Sequence, residues 1–266
     1  MAEEQATYDA EKMQLLYQLK EHWLEKTRHG VVSEEKIVEA VKHFYKSAKL
    51  AEPTIRVCAS PKDLRTKLKE VKGEKVKQSE RRNDKLVSET GEQLEKEFLP
   101  LDIKIAKQTP PPWDIKREIL EKELVAPIFQ GVERYAERIK RTANEEMPAS
   151  TENAMPDSFV ISFSHVARYD FLDKAGILTA NGMDQFRMLA EAGIWEIVPL
   201  STEAYVSVRP FKMLVEPEDQ QRLHSEAEPA VQWSDGYGQC YVQGVYFDRP
   251  LFESLVNKKL TAREAV

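Results

Sequence analysis

Within QRLHSEAEPAVQWSDGYGQCYVQGVYF, residues 221–247, three reactive side chains stand close in sequence: His224, Asp235 and Cys240, with Tyr237 and Tyr241 between and beside them. A thiol with an imidazole base in reach has the makings of a nucleophilic site. The surrounding pattern points to another use of the same residues. Asp235-Gly236 between alternating apolar runs signals a hairpin, because glycine accepts the positive φ that tight turns demand. A turn over residues 235–238 pairs Cys240 with Trp233 and Val242 with Val231. The thiol then lies beside an indole, and a buried, inert cysteine is expected. His224 falls outside that hairpin, so nothing in the spacing brings its ring to the sulfur.

Other chemistries leave few traces. His165 and Asp170 are one residue past the i+4 spacing of a helix face. Together with His224 and Asp235 they are the candidates for a hydrolase-like His/Asp site. No Cys-x-x-Cys or His-Glu-x-x-His occurs, and the five histidines (22, 29, 43, 165 and 224) are scattered, so no metal is expected. Phosphate-cradling glycine motifs and a Gly-x-Ser-x-Gly elbow are missing, and Asp-Gly-Tyr-Gly lacks the alternating oxygen ligands of a calcium loop. The expected catalytic assignment is none, and no cofactor is expected.

Charge is distributed unevenly. Residues 62–85 carry ten Lys or Arg against five acids, whereas the whole chain has a net charge of -6. Lys67, Lys69, Lys72, Lys75, Lys77, Arg81 and Arg82 are therefore the candidate contacts to a nucleic-acid backbone. No aromatic residue interleaves them, which argues against single-strand stacking. A solvated face running into a charged connector, about 62–98, accounts for the same residues.

The chain has 266 residues, 41% apolar and 32% charged, with only 10 glycines. These proportions suit a globular protein with substantial helix. The amino terminus lacks the pattern of a signal peptide, and no apolar run reaches membrane-spanning length. Cys58 and Cys240 are the only cysteines. Reduced thiols and a cytoplasmic location follow as expectations, with no membrane partner.

The elements that must position these residues read as follows. A helix is expected over 8–29, with Leu15, Leu16, Leu19 and Trp23 on one stripe, and a second follows Ser33 as its cap. TIRVCA (54–59) reads as a buried strand, and Ser60-Pro61 opens another helix. The prolines of 110–113 impose an extended run before a helix capped by Asp114, which Pro127 should kink near Leu124. After a polar linker (144–158), a helix pair is expected over 159–174 and 181–192. A DNA-reading role for the pair suits poorly a helix that would expose Asp184, Gln185, Arg187 and Glu191. From Trp195 onward the apolar period shortens to two, giving antiparallel strands and a short closing helix around Leu251 to Val256.

The fold class is therefore α+β, mainly helical in the amino-terminal half, with a small antiparallel sheet and helices in the carboxyl-terminal half. The organisation reads as a helical region over 1–143 and a helix pair plus β-meander over 159–266. Thr261 and Glu264 are spaced as a capping box that opens a helix, yet the sequence stops at Val266. This leads to the expectation that the chain is the amino-terminal part of a longer protein.

LHSEAEPAVQWSDGYGQCYVQGVYF resembles the Leu-His-x-x-x-x-Pro-Ala, Asp-Gly, Tyr-x-x-Gly-Val module of a bacterial family of unknown function, itself similar to the hairpin repeats of MORN-like proteins. WLEKTRHGVVSEEKIVEAVKHFYKSAKL, VCASPKDL, ARYDFLDKAGIL and AEAGIWEIVPL fit the same resemblance, while residues 65–155 match it loosely. It singles out Tyr169, Asp170, Trp195, Leu223, His224, Pro229, Asp235, Gly236 and Gly244. The family shows Asn-Glu-Asp-Gly-Pro-Ala before the turn; residues 225–230 here are Ser-Glu-Ala-Glu-Pro-Ala, without that glycine. The resemblance implies fold and a longer chain, and brings no activity.

The function these readings favour is a non-enzymatic protein-interaction or regulatory module, with a protein as partner, binding through the exposed sheet face and the charged connector. Nucleic-acid association is the second reading and a hydrolase-like site the third.

Overall fold

A computed structural model describes residues 10–28, 32–75, 119–130, 134–145, 159–176, 183–200, 202–216 and 222–257. The proline run at 110–113, the cap at Asp114, most of the 144–158 linker, the connector beyond Lys75 and the Thr261/Glu264 spacing lie outside these residues. The architecture is α+β, with two four-stranded sheets and helices in both halves of the chain.

Local chemistry sets the helix ends. α1 spans Ala10–Arg28 and buries Leu16, Leu19 and Trp23. α2, Glu34–Ser47, starts where the Ser33 hydroxyl accepts the Lys36 N–H, with Glu34 and Glu35 at the positive end of its dipole. Its buried face is Ile37, Ala40, Val41, Phe44 and Tyr45. α3, Pro61–Lys75, opens in a reciprocal cap: Ser60 Oγ accepts the Asp63 N–H at 3.0 Å, and the Asp63 carboxylate accepts the Ala59 N–H at 3.0 Å.

The disturbance expected at Leu124 takes the form of a π turn. In α4, Glu121–Val125 winds with the wider pitch, the Ala126 N–H reaches back to the Glu121 carbonyl, and Ala126–Ile128 resumes α geometry. Pro127 brings no N–H to the ladder, and widening the preceding turn accommodates it. α5 is Arg134–Glu145.

The helix expected from Phe159 starts later. Phe159–Val160 forms strand β2, pairing with Ile197 and Glu196, and α6 begins at Phe163 once Ser162 has capped the His165 N–H. An aromatic and β-branched pair suits the edge of a sheet, and the serine supplies the stop signal between the two states. α7 is Met183–Glu191, and α8 is Arg249–Val256, capped by Asp248.

The first sheet runs β1-β4-β3-β2, where β1 is Thr54–Cys58, β3 is Ile194–Pro199 and β4 is Glu203–Val208. β1 lies parallel to β4, pairing Thr54 with Glu203, so a strand of the amino-terminal half completes a sheet of the carboxyl-terminal half. The second sheet is the antiparallel meander β5-β6-β7-β8: Lys212–Met213, Val231–Gln232, Gly238–Val242 and Val245–Phe247.

A bulge at Trp195 shapes the first sheet. Ile194 pairs with Val208, but Glu196 pairs with Ser207, so one strand carries an extra residue there. Ile194 and Ile197 therefore share the face that packs into the main core, and Glu196 turns to the opposite face with Val198. α3 covers that opposite face, burying Leu64 and Leu68 against Cys58, Val198 and Tyr205. The main core is continuous from Trp23 and Phe44 through Ile197 to Trp233 and Tyr241. Gly193 admits a close approach: its φ is +78, and an added Cβ would lie 2.2 Å from Val32 Cγ1.

Candidate functional site

The β6–β7 reversal is centred on Asp235, earlier than a turn over residues 235–238 would place it. The Trp233 N–H bonds to the Tyr237 carbonyl at 2.8 Å, and the ladder closes at Gln232 with Gly238. Cys240 therefore does not face Trp233; it pairs with Phe247 of β8. Trp233 is buried, closes the hairpin through its backbone, and donates from Nε1 to the Val208 carbonyl at 3.0 Å, which ties the reversal to the first sheet.

Asp235 sits at the tip of this reversal. Its Oδ1 accepts the Tyr237 N–H at 3.0 Å, and its Oδ2 accepts from the buried Ser60 hydroxyl at 2.6 Å. Lys62 stands 5.2 Å over the Tyr237 ring. The carboxylate thus ties the meander to the start of α3, and both its oxygens are engaged in that task.

Asp170 is a hub in the helical layer. It is 2% exposed, its Oδ2 accepts from Trp23 Nε1 at 3.2 Å and from Lys174 at 3.0 Å, and Arg187 Nε lies 2.7 Å from Oδ1. Burial works against the Arg187 charge, but Asp170, Asp173 and Asp184 outweigh it and raise its pKa above the ordinary value. Arg187 and the buried Gln185 are therefore taken up by packing of α7 on α2 and α6. They form no exposed reading surface.

His224 accepts the Gln243 N–H on Nδ1 at 3.1 Å, and its Nε2 lies 3.9 Å from Glu226. The His165 side chain is exposed; its backbone N–H serves the Ser162 cap. Among the described residues no hydrogen bond or ion pair joins any two of His165, Asp170, His224 and Asp235. Nor is any group of three His, Cys, Asp or Glu placed to hold a metal ion among them.

Both cysteines are buried, and burial pushes the Cys58 thiol up to about 12. On strand β7 of the second sheet, Gln239 and Tyr241 turn towards α5: Gln239 Nε2 donates to the Ile139 carbonyl at 3.1 Å, and Tyr135 meets Tyr241 edge to face. Cys240, on the other face, is buried as well, and α8 packs against β7. The central strand is therefore covered on both faces. At the edge of the meander, where β8 pairs with β7, Val245 is 53% exposed.

Of the basic candidates, Lys67 is folded back. Its Nζ donates to the Val57 carbonyl of β1 at 3.1 Å and to Asp63 at 2.9 Å. Lys69 is half-buried; the Lys72 and Lys75 side chains and Lys77, Arg81 and Arg82 lie outside the described residues.

The polar cluster that sequence reasoning missed lies under α3. Arg65 Nη2 sits 2.9 and 3.0 Å from the two oxygens of Glu196, and Lys140 of α5 approaches the same carboxylate at 3.7 Å. Across the strands Cys58, Ser207 and Glu196 stand in one row, and the Ser207 hydroxyl has no hydrogen-bond partner among the described residues. An acidic residue within an otherwise apolar strand, WEIVP, is the only sequence signal for it. No helix among the described residues is long and apolar enough to cross a membrane. Compared with protein-family models, with curated proteins and with solved structures, the chain matches none of them.

Proposed function

We propose that this chain is a cytoplasmic, non-enzymatic protein-interaction or regulatory module. Its partner is a protein that contributes an extended segment to the edge of the meander. The observation that carries the reading is β8: it pairs with β7 alone among the described strands and presents Val245, with Tyr246 and Phe247 half-buried beside it. Outer strands offer a row of backbone donors and acceptors that a second chain can continue, with alternate side chains setting specificity. The engagement of Asp170, Asp235 and His224 in contacts of the fold supports the same reading. The resemblance of residues 223–247 to a hairpin module belongs to this proposal.

Affinity capture from extracts of the source cells, paired with sizing of the complex, tests it. A partner retained by the wild type and lost by Val245→Lys supports the reading, because a charged side chain on an edge discourages pairing. A chain that captures nothing and turns over a small molecule in an activity screen overturns it. Binding to nucleic acid that weakens steeply with salt moves the assignment to the basic segment over 62–85.

A further inference from the structure

β7 and β8 are joined by two consecutive residues in the left-handed region, Gln243 at φ +50 and Gly244 at φ +77. Such a turn matches the twist of paired strands, but glutamine, unlike glycine, adopts that conformation at a cost. The turn is held from one side by residues 223–225. Gly244 donates to the Leu223 carbonyl at 2.8 Å and Ser225 to the Tyr241 carbonyl at 2.9 Å. Between these bonds the Gln243 N–H finds no carbonyl and donates to His224 Nδ1 instead. An imidazole nitrogen accepts only while it carries no proton, so the ring proton resides on Nε2.

We propose that His224 is a proton-sensitive latch on the β7–β8 turn. Protonation puts an N–H at Nδ1, facing the N–H of Gln243, and two donors cannot share a hydrogen bond. The ring must then swing out, leaving the strained glutamine without its acceptor and loosening the edge strand that follows it. The side chain is 20% exposed, so solvent protons reach it.

The charged and titratable groups around the latch come from every neighbouring element. Glu226 lies 3.9 Å from Nε2. Arg222 packs its stem on Gly244 and pairs with Glu216, and α5 brings Arg138 within 3.5 Å of the Gly244 carbonyl and the Tyr135 hydroxyl to the Leu223 N–H. Glu226 lies on the side of the ring away from Gln243, so a ring released from the Gln243 N–H swings towards it.

The test is amide exchange and nitrogen-15 spectroscopy on the full chain across the His224 titration. The imidazole should show the Nε2–H tautomer at neutral pH. The Gln243 amide, corrected for its intrinsic exchange, should lose at least about tenfold protection as the ring protonates. His224→Asn supplies an oxygen that accepts without titrating, and His224→Phe supplies no acceptor. The first should keep Gln243 protected at every pH, and the second should leave it unprotected at every pH. Should His224→Phe fail to fold, the wild type and His224→Asn decide. An Nδ1–H tautomer at neutral pH, or Gln243 protection that ignores His224 titration, overturns the latch.

Discussion

Arg65 and Glu196 meet beneath α3 with 3% and 1% of their side chains exposed, one guanidinium nitrogen bridging both carboxylate oxygens. Removing either partner takes away the closest counter-charge of a buried ion. Glu196→Leu or Arg65→Met should each lower unfolding stability by about 3–5 kcal/mol, and the two changes together should cost clearly less than the sum. Equilibrium urea unfolding reads both. Additive losses would show that the pair is not a unit.

The Asp170 hub makes a similar demand with a spectroscopic readout. Asp170→Ala removes the acceptor of the Trp23 indole N–H and the main counter-charge of Arg187. A loss of about 3 kcal/mol is expected, together with a shifted Trp23 emission in the folded state. An unchanged emission would mean that the indole does not use this acceptor.

Two glycines separate backbone strain from crowding. Gly176 has φ +65 with open space around a would-be Cβ, whereas Gly193 has φ +78 with Val32 and the Arg209 side chain in the way. Gly176→Ala should cost about 1–2 kcal/mol for the left-handed conformation alone. Gly193→Ala adds about 1–3 kcal/mol of overpacking to that. Equal losses in thermal unfolding would place Val32 elsewhere.

Acid should reveal Glu228. Hydrogen bonds from Lys212 and then Gln232 hold its carboxyl below the ordinary carboxylate range. The fold thus favours its charged form, so the contribution is complete above the unfolded-state value and is lost as pH falls through the lowered one. Glu228→Gln should flatten that part of the acid limb in a melting series. The effect should shrink at high salt, because both partners are partly exposed.

The Tyr45 hydroxyl is buried with no hydrogen-bond partner among the described residues, and burial raises its pKa. Tyr45→Phe keeps the ring and removes the unsatisfied group. Stability should rise by about 1 kcal/mol in urea unfolding; a loss instead would reveal a partner for the oxygen.

Elements whose cause is local were legible in the sequence. Ser33 and the stripe from Ile37 to Tyr45 predict α2, and Asp235-Gly236 predicts a reversal where one occurs. What stayed hidden depends on distant partners. No property of TIRVC says that it lies parallel to a strand whose Glu203 pairs with its Arg56 across 147 positions. The ladder register failed because the reversal centres on Asp235, where the Trp233 N–H meets the Tyr237 carbonyl, and not on residues 235–238. Glu196 was invisible as a core ion because its partner Arg65 stands 131 positions away in the sequence. The phosphate-arm reading of Lys67 could not foresee that its amine closes onto the Val57 carbonyl.

The parallel pairing of β1 with β4 has a bearing on how the chain comes off the ribosome. Strand β1 emerges early but has to wait for β4, so a nascent chain spends much of its synthesis with one sheet margin unfilled. Loop closure of that span must precede the contacts that reward it, which slows assembly and lengthens exposure to chaperones.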